Sequence, residues 1–404
     1  MLETIVLLFA LAGLVLYTVL GGADFGAGLW QLLSGPGVHG RAIRDHAHHA
    51  MAPVWEANHV WLIFVLTVTW TAFPVAFGSI ASTLSIPISI AALGIVFRGL
   101  GYALQSATEV PRERRVIDTT FAVSSILTPY MLGAAVGAIA SGRVPVGNAA
   151  GDLVASWVNP TSILSGCLAV AVGAFLAAVY LAADAARLGE SALQRAFRTR
   201  ALASGVVAGA LAVAGLAVSH HDARHIYRGL TSGYGLAAVI VSAAAGIGTV
   251  GLVWRSRFEL ARLGAGLAVA AVVAGWAAAQ RPTVLPGLTL HQAAAGHAAL
   301  VGVIVAVVIG GLILAPSLGL LFRLVLAGGF DPDAPESSPP ALPSRPARDR
   351  PSGGYARLAG VCAVAGVVLL TVLEGAAAHA VGVVVLLAAA VLTFAAVSPD
   401  DLAS

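Results

Sequence analysis

The stretch Pro53-Val54-Trp55-Glu56-Ala57-Asn58-His59-Val60-Trp61 opens an apolar run that continues to about Phe77. As a helix, a run of that length crosses a bilayer. Ionisable groups inside such a span are costly and usually face a partner or a polar pathway. Helical spacing puts Glu56 and His59 three apart and Trp55 and His59 four apart, so they share a face. That face can hold a proton and pass it on.

The rest of the chain agrees with a membrane reading. Of 404 residues, 58% are hydrophobic and only 10% charged, with a mean hydropathy of +0.90. A soluble domain of this size needs a far more polar surface. The expected fold class is all-α, a polytopic membrane protein. The net charge of +3 is no nucleic-acid signal, because the arginines sit in short loops between spans. Cys167 and Cys362 each stand alone in an apolar run, which argues against a thiolate metal site. No positive charge precedes the first apolar run, so a cleaved secretory signal is not expected.

Apolar runs predict spans at 5–30, 54–77, 79–104, 116–141, 161–186, 201–219, 232–253, 263–280 and 297–322. A Pro-, Ser- and Arg-rich linker follows at about 328–354, and two further runs, 356–373 and 380–397, predict a terminal hairpin. The expected organisation is a membrane core over 1–325, a cytoplasmic linker over 326–355 and a hairpin over 356–404. Alternate loops carry 17 arginines against four on the opposite side. By the positive-inside rule the N-terminus is outside, and the Arg-rich loops and C-terminus are cytoplasmic.

This sidedness places Asp24, Glu56 and Arg98 in one layer, in the cytoplasmic half of the first three spans. Arg98 can neutralise one carboxylate and leave the other to bind a proton. Each residue also has a plainer reading. Asp24 can simply pair with Arg98, and the glycines around it (Gly21-Gly22-Ala23-Asp24-Phe25-Gly26-Ala27-Gly28) can serve helix packing. Glu56 can be a first-turn carboxylate favoured by the helix dipole. His59 can be a hydrogen-bonding residue rather than a haem ligand. Trp55 and Trp61 can be interface anchors. His46, His48 and His49 read as a polar loop. His220-His221-Asp222-Ala223-Arg224-His225 offers an i, i+4 histidine pair for a metal, set against a solvated loop. No metal, cofactor or phosphate-loop site is expected in this chain.

The segments Gly22-Ala23-Asp24-Phe25-Gly26-Ala27-Gly28, Pro53 to Leu62, Ala72-Phe73-Pro74 and Phe97-Arg98-Gly99 resemble successive signatures of subunit II of cytochrome bd quinol oxidases. Gln280-Arg281-Pro282 followed by Leu288-Thr289 is similar to that family's Gln-x-Pro segment. The resemblance covers about 1–325. It implies nine spans, as two four-helix bundles plus a peripheral helix, in a bacterial cytoplasmic membrane. It also implies a heterodimer with subunit I, which carries haems b558, b595 and d and oxidises quinol, while subunit II binds no haem. The proton path implied here involves Glu56 and Asp24, joined by His59, with Trp55, Asn58, Trp61 and Arg98 in structural or interface roles. Membrane lipids and a small accessory subunit are further expected partners. One departure stands out: where the family continues to a Glu-Phe-Arg triplet, this chain reads Ala103-Leu104-Gln105-Ser106. The alternative function is a proton-coupled secondary transporter with substrate bound between the bundles.

Overall fold

The structure, a computed structural model, describes residues 1–51, 55–105, 111–326 and 352–371, with a few isolated positions between 381 and 392. Two compact units divide it, Met1–Phe330 and Asp331–Ser404. In the second, a helix covers Ser352–Thr371. The linker before it and most of the second run of the expected hairpin lie outside the described residues.

Among the described residues, the regular structure of the first unit is helical apart from one small hairpin. Eight of its helices among the described residues are long and apolar enough to cross a membrane, and Ala57–Ala72 is a shorter apolar helical stretch. Large apolar side chains such as Leu93, Val206, Ile240 and Leu312 stand exposed on them, faces that suit lipid. We number the helices α1 (Leu2–Leu32), α2 (Gly37–Met51), α3 (Trp55–Ala72), α4 (Pro74–Thr83), α5 (Ser85–Gln105), α6 (Pro111–Ala140) and α7 (Pro160–Arg187). Then follow α8 (Ser191–Asp222), α9 (Arg224–Leu230), α10 (Gly233–Trp254), α11 (Phe258–Gln280), α12 (Leu290–Ala293) and α13 (His297–Leu326).

Helix α7 is the centre of packing, against α1, α6, α8 and α11. Its small residues Ala174, Ala177, Ala178 and Ala182 are buried, with Leu176, Val179 and Leu181 beside them. Its start follows from Asn159, whose side chain accepts the Ser162 N–H, and from Pro160 at the first turn, where a missing N–H is harmless. Helix α1 meets α7 at Gly26 and Gly173. A Cβ on Gly26 would run into the Gly173 carbonyl and lie 2.8 Å from the Ala174 nitrogen. Trp30 locks the same seam by donating from Nε1 to the Ala174 carbonyl at 2.8 Å.

Three expectations change. The span expected over 54–77 stops at Ala72, and the one expected over 79–104 starts only at Ser85. Proline drives the residue before it out of helical geometry, and Phe73 adopts φ −134°, ψ 58° ahead of Pro74 at the start of α4. The loop read as polar around His46, His48 and His49 is α2, an amphipathic helix with Ile43, His46, Ala47 and Met51 buried. His46 Nε2 lies 3.2 Å from the Leu181 carbonyl and 3.8 Å from Asp184 Oδ2, so a titratable ring replaces an apolar contact in this docking. Between α11 and α12, Thr283–Leu285 and Leu288–Thr289 pair as an antiparallel hairpin. Gly287 at φ +76° supplies its turn, and Gln280 Nε2 donates to the Val284 carbonyl at 3.2 Å.

The α1–α7 seam can be tested through its glycines. Gly26→Val is expected to lower the melting temperature of the assembled protein, by an overpacking cost of about 1–3 kcal/mol or more. Gly209→Ala, where nothing lies within 4 Å, is expected to be neutral or slightly stabilising. Equal melting temperatures for Gly26→Val and the parent would contradict the close approach.

Candidate functional site

The polar centre of the first helices is built on Arg98, near the end of α5. Arg98 is fully buried, and so is Asp24 in α1. Arg98 Nη2 donates to Asp24 Oδ1 at 2.7 Å and to the Asp24 carbonyl at 3.2 Å. Arg98 Nη1 donates to Ser125 Oγ, and Ser125 in turn donates to the Phe121 carbonyl at 2.6 Å. Tyr102, one turn after Arg98, donates its hydroxyl to Asp24 Oδ1 at 2.8 Å.

Aromatic rings close over the guanidinium. Its Cζ lies 4.4 Å from the Phe121 ring centre and 4.9 Å from that of Phe25, within the range of cation–π attraction. Trp55 stacks on Tyr102 with centres 5.1 Å apart and planes at 14°. An ion pair taken out of water survives only when geometry and extra hydrogen bonds offset desolvation. Tyr102, Ser125 and the rings supply that support.

The local backbone makes room for it. Residues Tyr17–Gly21 form a π-helical turn just before Asp24, a feature that often marks functional sites. Asn58 Nδ2 reaches the Leu20 carbonyl in that turn at 3.4 Å. A Cβ on Gly28 would collide with Ser125 Oγ and stand 2.8 Å from Arg98 Nη1. The glycines flanking Asp24 therefore have separate tasks: Gly26 admits α7, and Gly28 admits the arginine.

His59 sits beside this cluster, also buried. Its Nδ1 lies 2.8 Å from the Trp55 carbonyl. The rings of Tyr17, Phe25 and Trp55 stand edge-on to it, with centres 6.0, 5.8 and 5.9 Å away. Among the described residues, Asp24 Oδ2, His59 Nε2 and the Tyr17 hydroxyl are buried without a hydrogen-bond partner. Buried polar atoms of this kind call for water or a further ligand.

The structure thus brings together Asp24, Arg98, Trp55, Asn58 and His59. Trp61 stands apart, against Phe64 at 6.3 Å. Glu56 lies in the first turn of α3, and its side chain is outside the described residues. Tyr102, Ser125, Phe121 and Phe25 were not singled out from the sequence, although the Arg98/Tyr102 spacing of one helical turn was a usable signal.

Elsewhere, the histidines at 220–225 do not assemble into a metal site. No group of three His, Cys, Asp or Glu able to hold a metal occurs among the described residues. Asp222 is occupied instead by Arg143, at 3.0 and 2.5 Å, and by the Thr161 backbone N–H at 3.2 Å. It thereby ties the end of α8 to the start of α7, where a helix dipole favours negative charge.

Fold and site define the class: an integral membrane protein with an ion pair sealed into a seam between helices. Its family is the cytochrome bd terminal oxidase subunit II family, to which the chain belongs, the family model matching residues 2–325. A putative cytochrome bd menaquinol oxidase subunit II of Bacillus subtilis (strain 168) is 25% identical over 236 residues, 57% of this chain and 67% of that one. Cytochrome bd-I ubiquinol oxidase subunit 2 of Escherichia coli (strain K12) is 26% identical over 129 residues, 32% of this chain and 33% of its own length. The solved bd oxidase from Geobacillus thermodenitrificans matches with a TM-score of 0.61 and 26% identity, over 80% of this chain and 98% of that one.

The chain is therefore a subunit of a membrane quinol oxidase complex, and the name subunit II implies a partner subunit I. The transporter alternative finds no support in these relatives. The family also implies haem in the complex. His59 Nε2 is the ring nitrogen a haem would take, but the rings of Tyr17, Phe25 and Trp55 stand with centres 6.0, 5.8 and 5.9 Å from the imidazole and fill the space a macrocycle needs.

Tyr102 gives a direct check on the support of the ion pair. Tyr102→Phe removes one donor to Asp24 in a buried setting and is expected to cost about 1–3 kcal/mol, read as a lower melting temperature of the assembled complex. An unchanged melting temperature would show that the hydroxyl carries no load.

Proposed function

We propose that this chain serves the oxidase in two ways: it clasps subunit I, and it lines a proton route from the cytoplasm. Every electron delivered to oxygen on the way to water must be matched by a proton. The observation that carries the reading is the set of buried, unpartnered polar atoms beside the Arg98–Asp24 pair, namely Asp24 Oδ2, His59 Nε2 and the Tyr17 hydroxyl. They lie next to the start of α3, where Glu56 stands.

In this route Glu56 takes up the proton and His59 receives it. Asp24 acts as a fixed acceptor, with Oδ1 taken by Arg98 and Tyr102 and Oδ2 turned to water. Trp55, Asn58 and Arg98 hold the walls, and Trp61 faces the partner or lipid. Haems b558, b595 and d, with the quinol site, belong to subunit I in this reading. The arginine asymmetry supports a cytoplasmic-membrane protein with its N-terminus outside and its C-terminus inside. We read residues 1–325 as the core, 326–355 as a cytoplasmic linker and 356–404 as a hairpin that replaces a small accessory subunit.

Glu56→Gln keeps shape and hydrogen bonding but cannot accept a proton. The co-expressed complex is expected to retain its haem spectrum and lose O2 consumption on the order of 100-fold. The deficit should widen as pH rises, because protons become scarcer at the mouth of the route, and Glu56→Asp should keep part of the rate. Parent-like turnover from about pH 6 to about pH 9 would place the route elsewhere.

The clasping role has its own test. This chain expressed alone is expected to show no haem absorbance, and haem d should appear only with subunit I. A haem spectrum from the isolated chain would reject the assignment of the haems to the partner.

A further inference from the structure

The turn between α10 and α11 carries charge that the chain does not use. Arg255, Ser256 and Arg257 link two helices that are each long and apolar enough to cross a membrane, so the turn lies at a membrane surface whichever side it faces. The Arg257 N–H bonds the Leu252 carbonyl at 2.8 Å and the Ser256 N–H bonds the Val253 carbonyl at 3.0 Å. This is a Schellman closure. It places Ser256 at φ +56°, a position normally given to glycine, and such strain often accompanies function.

Basic residues at a helix end usually serve its unpaired carbonyls. Here another residue has that task. Arg198, on α8, donates from Nε to the Val253 carbonyl at 3.1 Å and from Nη2 to the Trp254 carbonyl at 2.5 Å. Its guanidinium also lies 5.6 Å from the Trp254 ring centre. With the carbonyls satisfied, the side chains of Arg255 and Arg257 are exposed, with no hydrogen bond or ion pair among the described residues. The next acid along the chain, Glu259, faces Arg262 at 3.6 Å. Trp254 is 68% exposed at the end of a helix long and apolar enough to cross a membrane, and tryptophan is enriched at membrane interfaces.

We infer that this turn is a binding site for the phosphate of an anionic phospholipid, with Arg255 and Arg257 on the phosphate and Trp254 at the glycerol level. Charge complementarity selects an anionic over a zwitterionic lipid. The closed turn fixes the backbone that carries both arginines, which reduces part of the ordering cost of binding.

The test uses the full complex in nanodiscs of phosphatidylcholine, with or without phosphatidylglycerol, and native mass spectrometry to count retained lipid. The parent is expected to retain phosphatidylglycerol in preference to phosphatidylcholine. Arg255→Gln/Arg257→Gln should weaken that retention roughly 30-fold, at about 1 kcal/mol per basic residue. A charge-matched control, Arg41→Gln/Arg323→Gln, should change it little. Equal retention by the parent and the Arg255/Arg257 variant would overturn the site, as would an equal loss in the control. Displacement of the lipid by millimolar inorganic phosphate would show a simple anion site and reject the lipid.

Discussion

An arginine and an aspartate with no contact to solvent, in an apolar seam between helices, set the terms for the rest of this structure. Neither charge can be buried alone without a penalty of several kcal/mol. The pair must therefore be made at close range and completed by other groups. Tyr102 and Ser125 complete it with hydrogen bonds, and Phe25 and Phe121 with ring faces. The π-helical turn at Tyr17–Gly21 and the missing side chain at Gly28 shape α1 around it. Helix α7 then reaches α1 only because Gly26 and Gly173 let the backbones touch. Local sequence, packing and electrostatics all converge on one pair.

Much of this could be read from the chain, and the limits have physical causes. Asp24 and Arg98 stood out because charge is rare in apolar runs, and arginine asymmetry put them in one layer. Tyr102 and Ser125 did not stand out, since a tyrosine or serine in a membrane helix is cheap and common. The break at Phe73 escaped because hydropathy is blind to the backbone, although Pro74 was there to show it. Helix α2 was read as a loop because its histidines are polar. Its buried face of Ile43, His46, Ala47 and Met51 follows a helical period that composition alone conceals. The hairpin at 283–289 is too short for strand periodicity to register. The family of the chain came from sequence signatures and not from geometry, because a sealed ion pair has no chemistry of its own to display.

The same constraint links structure to function. A proton route through an apolar membrane needs polar atoms that are buried yet not all paired with each other. At the Arg98–Asp24 pair and beside it, Asp24 Oδ2, His59 Nε2 and the Tyr17 hydroxyl meet that requirement among the described residues. Trp55 stacks on Tyr102 beside the pair. In our reading the pair is the fixed frame and the acid at the start of α3 is the moving part.

The central claim is that Asp24 and Arg98 stabilise each other and are costly apart. A double-mutant cycle on the assembled complex tests it most directly, with Asp24→Leu, Arg98→Leu and the double variant compared by thermal unfolding and haem retention. The account predicts that each single variant loses about 3–5 kcal/mol and that the double variant recovers a large part of that loss. Additive effects, or an Arg98→Leu variant as stable as the parent, would contradict it.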